Sequence, residues 1–250
     1  MPHEEPLAGG NASGAVVRIG DTVRKPWTAS TPSVIAYVRA LRAAGVDAPE
    51  QRGRDDAGRQ ILEYVPGELA IGRGPMSAGE LRRVGAMVRA IHDASAAYAV
   101  PADAVWETAI PAPGAELVCH NDLAPWNLVV GEDRWVFIDW DAAAPSTRLW
   151  DLAYAAQAFT LNDTSVVAAE AARGLAAFVE GYGAEARLRR ELPEAMAQRT
   201  AAMHDLLRTS HEAGAEPWSS LFVDGHGAHW RKVTAYVEQH RRVWRAALER

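Results

Sequence analysis

The sequence predicts an α+β protein of two unequal lobes. Short β-branched runs broken by glycine turns fill the chain up to Pro66-Gly67, helical periodicity follows, and the chain beyond Asp151 is almost unbroken helix. The expected division is a sheet-rich lobe over residues 1–68 and a larger helical lobe over 69–250, with a cleft between them. At 250 residues the chain can bury one substantial core or two modest ones.

In the first lobe, residues 14–19 (Gly-Ala-Val-Val-Arg-Ile) read as a strand, Gly20-Asp21 as a two-residue turn, and Thr22–Lys25 as a second strand stopped by Pro26. Thr31 followed by Pro32 reads as a helix N-cap and first helical position. Val34, Ile35, Val38 and Leu41 then recur at helical spacing up to Gly45. Residues 60–65 form another strand before Pro66. In the second lobe, Ser77 and Glu80 make a capping box ahead of a helix whose apolar face is Leu81, Val84, Val88 and Ile91. Val129-Val130 and residues 135–138 pair as a hairpin through Gly131-Glu132-Asp133. Leu188, Leu192, Met196, Met203 and Leu207 mark a later helix; Trp230, Val233, Tyr236 and Val237 mark another.

Composition narrows the function classes. The hydrophobic share is 48%, the charged share 23% and the net charge −6, with no basic run or basic-aromatic ribbon, so nucleic acid is not an expected partner. Cys119 is the only cysteine, which rules out an intrachain disulfide; between Val118 and His120 it reads as a small buried apolar residue in a reducing compartment. The first residues are polar and acidic, unlike a signal peptide, and no apolar run reaches the ~20 residues that span a bilayer. The expectation is a cytoplasmic protein without a membrane partner.

The chemistry is concentrated in His120-Asn121-Asp122-Leu123-Ala124-Pro125-Trp126-Asn127 and the following Ile138-Asp139-Trp140-Asp141. This is the protein-kinase pattern H-x-D-x-x-x-x-N, with a further Asp after the next strand. Asp122 is the expected catalytic residue, orienting an acceptor hydroxyl and taking its proton. Asn127 and Asp139 offer the hard oxygens that Mg²⁺ prefers. Singly, Asp122 reads as a cap and Asn127 as a turn residue; the joint spacing points to phosphoryl transfer. His120 is assigned to scaffolding. Asp141 either touches a second metal or faces solvent, and Asp151 caps a helix or anchors the catalytic loop.

These residues, with Phe137 ahead of Ile138 and the run Arg148-Leu149-Trp150-Asp151-Leu152-Ala153, resemble the aminoglycoside phosphotransferase family, itself similar to choline and homoserine kinases. The resemblance covers residues 117–156 closely and 8–69 more loosely. It implies a protein-kinase-like bilobal fold, ATP or GTP as donor, Mg²⁺ as cofactor, and transfer of the γ-phosphate to a hydroxyl of a small molecule. It also implies a phosphate-covering loop at residues 9–14, with Gly10, Asn11 and Ser13 approaching the nucleotide. It further implies a cation on the third strand; in the Thr22–Lys25 run, period-2 alternation puts Val23 and Lys25 on one face. Val23 is then expected under the adenine and Lys25 on the phosphates, with Arg24, on the opposite face, as the alternative cation. Residues 61–65 resemble the family's hinge, where the Glu63 carbonyl and the Val65 N–H would hold the adenine edge.

Two features depart from that pattern. The helix over 31–44 has no Asp or Glu to orient the phosphate-binding cation, which makes Glu50 or the glycine-rich loop the expected substitute, and Asn121 stands where Gly is commoner. The acceptor is expected among the helices after Asp151, near Asp122. Asp205, Glu212, Glu216, Trp218 and Asp224 are candidates there, either as an acidic site for a polycation or as solvated helix faces. His226 and His229 suggest a metal pair or, without a third ligand, a helix-entry loop.

The sequence therefore reads as a small-molecule O-phosphotransferase, monomeric or homodimeric, with an aminoglycoside-type antibiotic as best acceptor. A metabolic kinase of an amino alcohol, sugar or nucleoside-like molecule is the alternative enzyme, and a nucleotide-binding pseudokinase the alternative outside catalysis.

Overall fold

The computed structural model describes residues 3–7 and 16–249. Gly10, Asn11 and Ser13, with the rest of the expected glycine-rich loop, lie outside the described residues. The first layer is a five-stranded antiparallel sheet in the order β1-β2-β3-β5-β4, formed by β1 (Glu5–Pro6), β2 (Val17–Ile19), β3 (Thr22–Lys25), β4 (Gln51–Arg54) and β5 (Gln60–Glu63). Gly20 turns β2 into β3 at φ 61°, a left-handed conformation that glycine adopts without steric cost. Register sets Val23 opposite Leu62 and Lys25 opposite Gln60. The strand expected over 60–65 ends at Glu63; beyond it the Tyr64 N–H still donates to the Asp21 carbonyl, at 2.9 Å, next in register after the Thr22–Glu63 pair.

Helix α1 (Thr31–Ala43) leaves the sheet after β3 and buries Val34, Ile35, Tyr37, Val38 and Leu41. Its cap lies one residue earlier than expected. Ser30 occupies the cap position without a side-chain bond to the helix, while the Thr31 hydroxyl accepts from the Thr28 N–H at 2.9 Å.

Two small sheets frame the middle of the chain. β6 (Glu68–Leu69), β8 (Leu128–Val130) and β9 (Trp135–Phe137) form one, in the order β6-β8-β9; β7 (Leu117–Cys119) pairs antiparallel with β10 (Ala144–Ser146) to form the other. The β8–β9 hairpin is the expected one, closed by the Gly131 N–H on the Arg134 carbonyl. The segments joining these two sheets carry the kinase-like motif.

The helical layer comprises α2 (Ala78–Ala96), α3 (Arg148–Thr160), α4 (Ala168–Tyr182), α5 (Ala186–Ala213), α6 (Trp218–Leu221), α7 (Gly227–Gln239) and α8 (Arg241–Leu248). The Ser77–Glu80 capping box opens α2. Helices α2 and α4 touch backbone to backbone. A Cβ on Gly85 would lie 2.1 Å from the Phe178 carbonyl oxygen, and one on Gly181 would lie 2.0 Å from that of Arg82. One apolar core runs from Tyr37 and Leu41 of α1 through Leu128 and Phe137 to Phe178, Tyr182 and Trp244. Among the described residues no helix is long and apolar enough to cross a membrane.

Candidate active site

Strand β7 delivers a buried loop, and the loop is tied down at every backbone turn. Asn121 sits at φ 63°, a left-handed conformation that asparagine tolerates better than most residues. Its side-chain amide donates to the carbonyls of Ala142 and Ala144 at 3.1 and 3.3 Å, fastening the loop to the β10 side. A glycine would meet the φ requirement but could not make these bonds. The Asn121 N–H donates to Asp151 Oδ1 at 2.9 Å, and the other Asp151 oxygen meets His92 Nε2 at 3.0 Å. Asp151 thus anchors the loop from α3, with His92 held in turn by the Tyr182 hydroxyl at 2.9 Å. His92, Cys119 and Asp151 are all buried, and burial pushes the Cys119 thiol well above its ordinary pKa.

His120 is fully buried, and desolvation lowers its pKa, which keeps it neutral. Its Nδ1 accepts from the Asp122 N–H at 3.3 Å, so Nε2 carries the proton and donates to the Ile138 carbonyl at 3.1 Å. The Ile138 N–H in turn donates to the Asn127 carbonyl at 2.8 Å. These two bonds lock the segment bearing Asp122 and Asn127 to the segment bearing Asp139.

Asp122 accepts from the Asn127 carboxamide nitrogen at 2.7 Å and from the Tyr154 hydroxyl at 2.8 Å. With its nitrogen so committed, Asn127 leaves its oxygen available as a hard ligand. Burial lifts the Asp122 pKa to about 7 against the two hydrogen bonds, and the nearby Asp139 charge adds to the rise. Asp139 stands at φ 60° directly after β9, and its Oδ1 meets Lys25 Nζ at 2.5 Å. Asp141 Oδ2 reaches the same ammonium at 2.7 Å. Burial opposes both carboxylates. The Lys25 charge outweighs it at Asp139, whose pKa is held below the ordinary range, while Asp141 stays above it. Lys25 itself is buried, and the two carboxylates hold its pKa up.

The expected cation partner is corrected by this pairing. Glu50 binds Arg52 at 3.2 Å, and the carboxylates that meet Lys25 are Asp139 and Asp141. Arg24 is also corrected as a phosphate cation. It faces away from the cleft, bonded to the Thr22 hydroxyl at 2.7 Å and ion-paired with Asp55 at 3.4 Å.

Two cavities meet at this point. The smaller, of about 220 Å³, lies beneath the sheet and is lined by Val23, Lys25, Leu62, Val129 and Ile138, with the Glu63, Tyr64 and Val65 segment along its edge. The Glu63 side chain is bonded to Arg134 at 2.8 Å, so the hinge offers backbone there. The larger, of about 1210 Å³, opens among the helices over Asp122. Trp126, Asn127, Asp139 and Asp141 line both. Asp122 lines only the larger one.

Around the larger cavity the solvated-face alternative holds for the acidic candidates among the described residues. Asp205 and Glu212 are exposed and paired with Arg208, and exposed Glu216 and Asp224 do not line the cavity; only Trp218 of that group does. Nor do His226 and His229 form a metal pair: His229 Nε2 meets Asn162 Oδ1 at 3.0 Å, and both histidines line the cavity wall. Sequence reading missed Tyr154 and Arg199. Arg199 occupies the i+3 position after Met196 and the i−4 position before Met203, so a charge interrupting an apolar stripe was the available signal. Tyr154 follows Asp151 by one helical turn on an all-apolar segment and gave no such signal.

Residues 96–192 match the phosphotransferase enzyme family. Across 263 aligned residues the chain is 27% identical to the trifolitoxin immunity protein of Rhizobium leguminosarum bv. trifolii, covering 99% of this chain and all of that one. Among solved structures it is similar to an amicoumacin kinase bound to AMP-PNP and Ca²⁺ (TM-score 0.69, 12% identity, 93% of this chain and 88% of the other). A spectinomycin phosphotransferase bound to ADP and spectinomycin gives TM-score 0.64 at 12% identity over 94% and 92% of the chains. A choline/ethanolamine kinase family protein from Mesorhizobium loti gives 0.59 at 20% identity over 98% and 92%. The expected kinase-like bilobal fold is therefore the observed one, and the resemblance to aminoglycoside phosphotransferases and choline kinases holds in three dimensions.

Proposed function

We propose that the protein transfers the γ-phosphate of ATP or GTP to a hydroxyl of a small molecule, with Mg²⁺ as cofactor. The observation that carries this reading is the shared wall of the two cavities. Oxygen ligands stand where a nucleotide cavity opens into an acceptor cavity, and Asp122 waits on the acceptor side alone. Phosphoryl transfer asks for that disposition, because it depends on positioning and charge neutralisation more than on covalent chemistry.

In this reading Val23 and Val129 flank the purine, and Lys25 moves from Asp139 to the donor phosphates. The Asn127 carboxamide oxygen and Asp139 carboxylate fit Mg²⁺, which when bound neutralises charge on the phosphates. Asp139 would hold the metal, and Asp141 would keep the ion pair with Lys25. Asp122 orients the acceptor hydroxyl and accepts its proton as the new oxygen–phosphorus bond forms. The two hydrogen bonds that Asp122 receives hold its carboxylate in one orientation.

As to the acceptor, similarity to an immunity protein and to a spectinomycin phosphotransferase supports a toxic or antibiotic compound as the substrate, the same modification serving resistance. An amino alcohol is the second reading, supported by the choline/ethanolamine kinase likeness. Thermal denaturation with Mg-ATP and Mg-GTP tests nucleotide binding, and a radiolabel-transfer screen over hydroxyl compounds tests catalysis. Transfer that disappears in Asp122→Ala supports the enzyme. A protein that binds Mg-nucleotide but transfers to nothing, with Asp122→Ala indistinguishable from wild type, is a pseudokinase.

A further inference from the structure

We propose that Asp141 is the residue that positions Lys25 on the donor phosphates, and that it does so from the larger lobe, across the cleft, with no part played by α1. The inference rests on the kinase reading and deepens it.

Lys25 ends β3, and Val34 and Val38 of α1 line the same cavity. The helix carries no Asp or Glu, so it offers the ammonium aliphatic surface there and no counter-charge. A buried ammonium needs an anionic partner to offset its lost hydration. Among the described residues its ion-pair partners are Asp139 at 2.5 Å and Asp141 at 2.7 Å. In the kinase reading the Asp139 carboxylate serves Mg²⁺, and a carboxylate given to a metal is a weaker partner for a lysine. Asp141 is then the one left to hold Lys25 as the phosphates arrive.

The turn that carries Asp141 is fixed on both sides. Trp140 before it is buried, and its Nε1 donates to the Phe137 carbonyl at 3.0 Å. The carbonyl of Ala142 after it accepts from the Asn121 side-chain amide at 3.1 Å. The Asp141 side chain therefore starts from a backbone with little freedom, which suits a positioning role.

Helix α1 is fixed as well, and to the larger lobe. The Tyr37 hydroxyl donates to the Val118 carbonyl of β7 at 2.9 Å, and the Tyr37 ring lies 6.0 Å from that of Trp140. The Ser33 hydroxyl accepts from the Val105 N–H at 2.8 Å. A helix so tied, and without a carboxylate, has no means of engaging or releasing the lysine by swinging. The ion pair instead joins β3 to the turn beyond β9, so Lys25 is held for the phosphates only while the two lobes are closed on each other.

The first test needs neither metal nor turnover. Lys25 and Lys232 are the only lysines, so ¹⁵N labelling of lysine side chains gives two ammonium signals. In metal-free Asp139→Asn the Lys25 signal is expected to persist, held by Asp141, and to be lost when Asp141→Asn is added. Loss in Asp139→Asn alone overturns the inference, as does persistence in the double variant; the single-variant result decides should the double variant unfold. The second test is a double-mutant cycle on Mg-AMP-PNP affinity, measured by NMR titration. Asp141→Asn should weaken binding at least ~10-fold in the wild-type background and cause no further loss in Lys25→Met. Asp141→Glu should recover part of the affinity. An equal loss in both backgrounds would mean that Asp141 serves the metal directly, and an Asp141→Asn protein that binds like wild type would mean that it serves neither; each result overturns the inference. Absence of Mg-AMP-PNP binding by the wild type would instead defeat the kinase reading, and the ammonium spectra would still decide whether Asp141 holds Lys25 unaided.

Discussion

The Tyr154 hydroxyl donates to Asp122 Oδ1 across 2.8 Å, so a tyrosine on α3 holds the carboxylate that faces the larger cavity. The bond also stabilises the ionised form of Asp122 against burial, which otherwise lifts its pKa to about 7.

Removing that donor should move the titration upward. In metal-free Tyr154→Phe, the Asp122 midpoint followed by carboxyl ¹³C NMR should lie above the wild-type value near 7. The acid limb of the transfer rate should shift the same way, so that activity lost at neutral pH returns as the pH is raised. An unchanged or lower midpoint would show that the hydrogen bond does not govern the carboxylate.

Asp122→Asn should abolish transfer and yet stabilise the fold at alkaline pH. The folded pKa of about 7 lies above the ordinary 3.8, so the native state holds the extra proton between those values. Wild-type stability therefore falls as pH rises through that window and is lowest above it. The neutral side chain escapes this cost. The variant should melt above wild type at pH 8, at about 2–4 °C per kcal/mol for a chain of this size, and match it more closely at pH 4.

Lys25→Met leaves Asp139 and Asp141 facing each other without their cation. The expected result is loss of Mg-nucleotide affinity and a lower melting temperature, with a cost below the about 3–5 kcal/mol of a fully buried broken pair, because the Asp141 side chain is 41% exposed. Adding Asp141→Asn should recover stability without recovering nucleotide binding. Differential scanning fluorimetry of the single and double variants separates the two effects.

Asp151→Ala strips partners from the Asn121 N–H and from His92, both buried. Each orphaned group costs about 1–3 kcal/mol, so the melting temperature should drop by several degrees. Acceptor phosphorylation should fall further than the unfolded fraction explains, since Asp151 holds the turn that presents Asp122. Transfer per folded molecule equal to wild type would limit Asp151 to stability alone.

The legibility of this chain differed from element to element, for physical reasons. Thr22–Lys25, the Ser77–Glu80 capping box and the β8–β9 hairpin are local arrangements in which turn chemistry and periodicity agree. The cap of α1 was displaced because the Thr31 hydroxyl is drawn to the Thr28 N–H, a local competition that the cap preference of Thr31 alone does not reveal. Asp122, Asn127 and Asp139 were visible because their spacing is itself the motif. The partners of Lys25 were not, since 114 residues separate it from Asp139. The acidic residues of the last helices left two readings open, because charge on a helix says nothing about which face meets the cavity, and the solvated-face reading is the one observed. Asp205 and Glu212 satisfy each other's neighbour Arg208 in solvent.

By itself the sequence determined the two-lobed α+β division and the carboxylate-carboxamide motif, both consequences of short-range periodicity and spacing. Only the tertiary structure decided that Asp139 and Asp141 pair with Lys25, that Tyr154 braces Asp122, and that Arg199 is buried against the Tyr154 ring. Those outcomes depend on which side chains burial forces together across distant segments, where desolvation makes each unpaired charge expensive enough to choose its partner.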